Sequence, residues 1–184
     1  MTSHRVIINW RGEEIETLAD IVKEDLEVLF VGLNPSPVSV ARGHYHQGRL
    51  GQQFWKLLVD HQILPAPGPS EFHDDFLLRN GFGITDIVKR PSKRADLDPT
   101  DLEYGRVLLA DKINYLEPRI VCSVYKTAIE AVSGQKLKNI WGPTNLRLGK
   151  SVVFILPFPY RPADEIKAYA GQLGVLIEAN SDGR

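Results

Sequence analysis

Asn34 is the first side chain in this sequence whose position suggests chemistry. It follows the apolar run Val28 to Val31 and the pair Gly32-Leu33, and it stands directly before Pro35. A residue that precedes proline is pushed toward extended backbone, so Asn34 is expected to be held in one state at the end of a strand. Its carboxamide can accept a proton and present two donors, which suits it to orienting a nucleophilic water. The structural alternative is a turn asparagine that bonds its own backbone. Asp86 is the second candidate, a carboxylate within the apolar stretch Gly83-Ile84-Thr85-Asp86-Ile87-Val88. Strict alternation places Ile84, Asp86 and Val88 on one face and Thr85, Ile87 and Lys89 on the other. A carboxylate on a mainly apolar face is either satisfied structurally or kept for function.

Gly43-His44-Tyr45-His46 brings two histidines to i and i+2. No acidic or cysteine residue lies near them at ligand spacing, and zinc usually takes three or four protein ligands, so a metal is not expected here. Tyr45 and His46 read better as an aromatic platform on which a flat base can stack, or as loop aromatics packed on their own domain. Lys89, Arg90, Lys93 and Arg94 fall within six residues and are either a phosphate-contacting arm or a solvated charged loop. The net charge is -1 over 184 residues, so any attraction to nucleic acid must come from such local patches.

The elements that hold these residues follow from pattern. A chain of 184 residues, 43% hydrophobic and 24% charged, fits one globular domain spanning 1–184. The single cysteine, Cys122, excludes an internal disulfide framework and a four-cysteine iron–sulfur site. No apolar run reaches the ~20 residues of a membrane span. The opening MTSHRVIINWRGEE lacks the basic-then-apolar pattern of a signal peptide, so a reducing cytoplasmic setting and no membrane partner are expected.

Val6 to Asn9, a turn at Trp10 to Glu13 and a second short strand predict a hairpin extension over 1–16, followed by a short helix from Thr17 to Val22. Val28 to Val31, Ile84 to Val88, Ile120 to Val124 and Val152 to Leu156 predict strands. Helices are expected over Gln52 to Gln62, after an N-capping Ser70, over Asp101 to Leu116 with Thr100 as cap, over Lys126 to Val132 and over Asp164 to Leu173. Val175 to Ile177 reads as a possible edge strand and 178–184 as a tail. Strands alternating with helices predict a three-layer α/β/α fold with a mostly parallel central sheet. Sites in that architecture lie at the carboxyl ends of the strands, here Gly32 to Tyr45, Thr85 to Arg94 and Pro157 to Pro162.

Three blocks in colinear order then carry a resemblance. VLFVGLNPSP with RGHYHQG and QQFWKLL, then GITDIVKRPS, then WGPTNLRLGKSVVFILPFP resemble the conserved motifs of the mismatch-specific uracil/thymine branch of the uracil-DNA glycosylase superfamily. The likeness spans about Thr17 to Leu173. It implies that Asn34 positions the hydrolytic water. It also implies that Gly32, Leu33 and Pro35 shape the floor of a base pocket whose backbone N–H groups read a pyrimidine carbonyl. A gapless count from Asn34 puts His46 at the family's base-stacking aromatic, with Tyr45 one position away, and both stay open.

Three departures stand out. Ser36 replaces the glycine that follows Asn-Pro in the family. Asp86 stands where relatives carry an uncharged or basic pocket residue, and its anion near C1′ could stabilise an oxocarbenium ion or help activate water. Leu156-Pro157-Phe158-Pro159-Tyr160-Arg161-Pro162 replaces a loop of small and polar residues, so Tyr160 would stack and Arg161 would contact phosphate or the orphan base. The implied protein is a monomeric, cofactor-free glycosylase that hydrolyses the N-glycosidic bond of a flipped deaminated base, most simply uracil, in DNA. The rival expectations are a DNA-binding homologue with weak or lost activity and a small-molecule nucleoside hydrolase.

Overall fold

The computed structural model describes residues 3–93, 97–159 and 161–181. Among them the strands are β1 (Arg5–Trp10), β2 (Glu13–Leu18), β3 (Val28–Gly32), β4 (Phe82–Asp86), β5 (Ile120–Ser123), β6 (Gly142–Leu148) and β7 (Ser151–Ile155). The helices are α1 (Pro37–Arg42), α2 (Arg49–Asp60), α3 (Pro99–Leu116), α4 (Lys126–Ser133) and α5 (Ala163–Ser181). Five strands form one sheet in the order β4-β3-β5-β7-β6, parallel except for β6, which runs antiparallel to β7.

The unbroken apolar runs of the inner strands exist because both faces of this sheet are covered. Val28, Phe30, Ile120, Cys122 and Phe154 pack with Trp55 of α2 and Leu173 of α5 on one side. Leu29, Val31, Val121, Val153 and Ile155 pack with Ile113 of α3 and Ile129 of α4 on the other. This is the expected three-layer α/β/α arrangement with a mostly parallel sheet.

The expected hairpin is β1 with β2, and its second strand continues to Leu18 rather than stopping at residue 16. Arg11 and Gly12, with φ of 54° and 87°, make the tight turn. Trp10 anchors the hairpin, donating its Nε1–H to the buried Asp101 at the start of α3 over 2.9 Å.

Residues Thr17 to Val22 are not helical. Ile21 exchanges two backbone hydrogen bonds, 2.9 and 3.1 Å, with Ile84 on the otherwise open edge of β4. Satisfying an edge strand outweighs the weak helix propensity of this segment. The helix expected after Ser70 is two 3-10 turns, His73–Phe76 and Leu78–Asn80, with Phe76 and Leu77 buried as anticipated.

Asp98, not Thr100, caps α3. Its carboxylate accepts from the Thr100 N–H at 2.8 Å, and Pro99 occupies the first helical position. No strand forms at Val175 to Ile177, and residues 178–181 are not a loose tail. The stripe Ile166, Ala170, Leu173, Leu176, Ile177 keeps helical spacing against the core, so α5 runs through its glycines to Ser181. Two elements had no counterpart in the sequence reading. One is α1, capped by Ser36 with Pro37 in its first turn, and the other is β6, joined to β7 by Gly149-Lys150.

Candidate active site

The segments leaving β3 and β4 run side by side beyond the sheet. Ile87 N–H donates to the Gly32 carbonyl at 3.1 Å, Val88 N–H to Leu33 at 2.9 Å and Ser92 N–H to Pro35 at 3.3 Å. This continued pairing brings Asn34 and Asp86 into the wall of one cleft of about 410 Å³, within the usual range for small-molecule sites. Leu33, Pro35 and Ser36 line it, as do Tyr45 and His46, whereas Gly32 lines a separate small void shared with His46.

Asn34 is oriented by its nitrogen. Nδ2 donates to the Ser92 carbonyl at 2.8 Å and meets the Ser92 hydroxyl at 3.0 Å. A backbone carbonyl only accepts, so the amide's orientation is decided, and Oδ1 is left as an acceptor without a hydrogen bond among the described residues. The turn alternative is only faintly present, since the contact from Nδ2 to the Pro35 carbonyl is 3.4 Å.

Asp86 is 4% exposed, and no hydrogen bond reaches its carboxylate among the described residues. Oδ1 rests close over the Gly32 Cα; a Cβ added there would lie 1.9 Å from it, so any larger residue would push the Asp86 carboxylate aside. Burial pushes the Asp86 carboxyl up to about 7, with Asp20 adding to the effect and the Lys89 and Lys112 ammoniums opposing it.

Behind Asp86 lies a charge cluster that the spacing did not reveal. Asp20 pairs with the ammoniums of Lys89 and Lys112 and accepts from the Thr85 hydroxyl at 2.5 Å. Burial would raise the Asp20 carboxyl, but the two lysines more than offset it and hold it below its ordinary value. The alternation expected for β4 ends at Asp86. Ile84 belongs to one core, whereas Ile87 and Val88 both enter the other, because the chain leaves the regular ladder there.

The aromatic pair divides. Tyr45 is buried, with its hydroxyl on the Ala19 carbonyl at 3.1 Å and its N–H on Asp74 at 2.6 Å. His46 is half-buried at the cleft wall, with its ring edge-on to Phe54 and Trp55 at centroid distances of 4.9 and 5.5 Å. Burial pushes the His46 imidazole down to about 4, so the ring is neutral near pH 7. Its backbone is left-handed, φ 57°, a conformation of the kind that collects at functional sites.

The expected basic arm is largely dismantled. Lys89 points inward, 8% exposed, and pairs with Asp20. Arg90 is engaged by Asp101 at 2.8 Å and Glu13 at 2.8 Å. A cation held by a largely buried carboxylate is poorly placed to meet a phosphate. Lys93 is exposed; Arg94 and Tyr160 lie outside the described residues.

None of the described residues of Pro157 to Pro162 lines the cleft; Tyr125, at the carboxyl end of β5, takes that place. Arg161 is exposed and grips Glu165 through two hydrogen bonds of 2.9 and 3.0 Å. Arg49, which also lines the cleft, Tyr125, Ser92 and the Asp20 cluster were missed because nothing local in their sequence marks them. No helix is long and apolar enough to cross a membrane among the described residues.

A family model described as the uracil DNA glycosylase superfamily matches residues 19–164. The chain belongs to that superfamily. Members of the uracil DNA glycosylase superfamily are DNA glycosylases that act on uracil-type lesions. The match begins at Ala19, so it takes in the cleft segments of β3 and β4 but not the N-terminal hairpin.

Proposed function

We propose that this protein is a monofunctional DNA glycosylase that removes uracil from DNA by hydrolysis, and that it stands nearest the mismatch-specific uracil/thymine branch. One observation carries the reading: a buried carboxylate without a hydrogen-bond donor among the described residues shares a cleft wall with a carboxamide whose oxygen is held available. A carboxylate so placed is costly for the fold and is reasonably kept for function.

In the proposed reaction the flipped nucleotide enters the cleft and a water lies between Asn34 Oδ1 and Asp86. Asn34 Oδ1 accepts a hydrogen bond from one O–H of the water, which stays on the oxygen as the new sugar hydroxyl, and Asp86 takes the other proton as the oxygen bonds to C1′. The N-glycosidic bond breaks, its electron pair leaves on the base N1, and Asp86 later returns the proton to solvent. The Asp86 anion also favours the positive charge that develops on the sugar. His46, neutral and open to the cleft, is the proposed stacking ring, while buried Tyr45 supports the loop beneath it. Backbone N–H groups around Leu33 and Ser36 face the base carbonyls. Arg49, Lys93 and Arg161 are the proposed phosphate contacts, replacing the inward-facing Lys89 and the engaged Arg90. No step calls for a metal or organic cofactor, and the protein acts as a monomer.

The test is an excision panel: uracil, thymine, hypoxanthine and xanthine, each opposite all four bases and in single strands, with Asn34→Ala as control. Uracil release by the wild type with near-complete loss in the variant is expected. DNA binding without release, or cleavage of free deoxyuridine with no salt-dependent DNA binding, would overturn the proposal.

A further inference from the structure

We propose that His4, His44, Asp74 and Asp75 form a binding site for a divalent first-row metal ion, with zinc as its simplest occupant. Their ligand atoms all lie within 4.8 Å of one another. None of the four lines the cleft described above, so the inference does not depend on the glycosylase reading.

The four side chains come from three separate segments. His4 precedes β1, His44 follows α1, and the two aspartates sit in the 3-10 turn His73–Phe76. His44 Nδ1 is 2.9 Å from Asp74 Oδ1 and 3.8 Å from Asp75 Oδ1. His4 Nε2 is 3.4 Å from Asp75 Oδ1 and 4.0 Å from Asp74 Oδ2. Metal–ligand bonds of 2.0–2.2 Å in a tetrahedron require donor atoms about 3.4 Å apart, the middle of that set.

Two further observations separate this cluster from an ordinary ion-pair patch. The His4 Nε2 atom is buried and makes no hydrogen bond among the described residues, although two carboxylates face it. A buried nitrogen left without a hydrogen bond beside two carboxylates is one that a central cation would satisfy. The ligands are also held from behind. His44 stacks on Phe72 with ring centroids 3.7 Å apart, and the second Asp74 oxygen accepts the Tyr45 N–H at 2.6 Å. Such supporting contacts orient ligands before a metal arrives. Two imidazoles and two carboxylates suit zinc and its neighbours rather than calcium or magnesium, which prefer oxygen donors alone. Four protein ligands leave no open position, so the ion is structural. It would fasten the segment before the hairpin to the loop that carries Tyr45 and His46.

The expectation of no metal considered only ligands close to His44 in sequence. His46, the partner that spacing suggested, is not part of the cluster, and the other three ligands lie 30 or more residues from His44 along the chain.

The test uses the full-length, tag-free protein stripped with EDTA and titrated calorimetrically with zinc chloride. One zinc per chain with micromolar or tighter affinity is expected. His4→Gln and Asp75→Asn, both at partly exposed positions, should each weaken binding about tenfold or more with an unchanged circular dichroism spectrum. His61→Gln, remote from the cluster, should bind as the wild type does. At zinc 100-fold above Kd the wild-type melting temperature should rise by about 5–10 °C. Should either variant unfold, cobalt(II) decides: intense visible bands of tetrahedral coordination in the wild type support the site. Absence of stoichiometric zinc binding, binding unaltered in folded His4→Gln and Asp75→Asn, or a weak octahedral cobalt spectrum would each overturn it.

Discussion

Replacing Asp86 with asparagine should make the protein more stable at alkaline pH and much less active, and both effects follow from one buried group. The carboxyl sits at about 7 in the fold against 3.8 when unfolded. Below 3.8 both states are protonated and Asp86 contributes no pH dependence. Between 3.8 and about 7 the unfolded chain releases the proton while the fold keeps it, so wild-type stability falls as pH rises. Above about 7 the loss levels off. At 1.36 kcal/mol per pH unit, the part lost between pH 5 and pH 8 is about 2.7 kcal/mol.

Asparagine cannot ionise, so the stability difference between Asp86→Asn and wild type should move by about that amount between these two pH values. Any fixed cost of burying the amide cancels from this comparison. For a chain of this length the change corresponds to about 5–11 °C in melting temperature. Single-turnover uracil release should fall about 10²–10³-fold in the variant, with DNA affinity little altered. Wild-type release should drop about tenfold from pH 8 to pH 6 as the base protonates. A stability difference independent of pH would show that Asp86 titrates normally, and an unimpaired Asp86→Asn enzyme would reduce Asp86 to a structural residue.

Four further outcomes are expected. Asn34→Ala should slow uracil release by about 10²–10³-fold while DNA affinity, measured by fluorescence anisotropy, stays within a few-fold. Gly32→Ala drives a methyl into Asp86 Oδ1, so release should fall toward the Asp86→Asn level and the pH dependence of what remains should flatten. Asp20→Asn frees Lys89 and Lys112 to act on Asp86, so the acid limb of the pH–rate profile should move to lower pH. Arg161→Ala should weaken DNA binding and flatten the plot of log K against log salt by about 0.9, and an unchanged slope would remove Arg161 from the phosphate contacts.

What could be read from the sequence was whatever short-range rules govern. Val28 to Val31 announced a strand covered on both faces, and Asn34-Pro35 announced a fixed carboxamide at its end, because neighbouring residues decide both. The misreadings fall where a distant partner decides. Residues 19–22 look helical until the open edge of β4 captures Ile21. The last helix looks finished at Leu173, just before Gly174, until packing against the core carries it on to Ser181. Lys89 and Arg90 looked like free cations because their carboxylates lie 69, 11 and 77 residues away. Ser36-Pro37 is the exception: a cap followed by a first-turn proline is a local helix start.

The N-terminal hairpin lies outside the family match, yet it bears on the candidate site through β4. That strand is an edge of the sheet, and an edge pairs on one side only, so its end would fray most readily. Here the free side is closed over its whole site-bearing length. Ile21 pairs with Ile84, Asp20 holds Thr85 and Lys89, and the Thr17 hydroxyl donates to the Lys89 carbonyl at 2.6 Å. Leu18, from the same stretch, reaches the cleft wall. A carboxylate whose ionised form works against the fold needs a strand that cannot relax away from Gly32. The segment 17–21, which runs from the end of β2 into the matched region, supplies that restraint and is thereby a brace for Asp86.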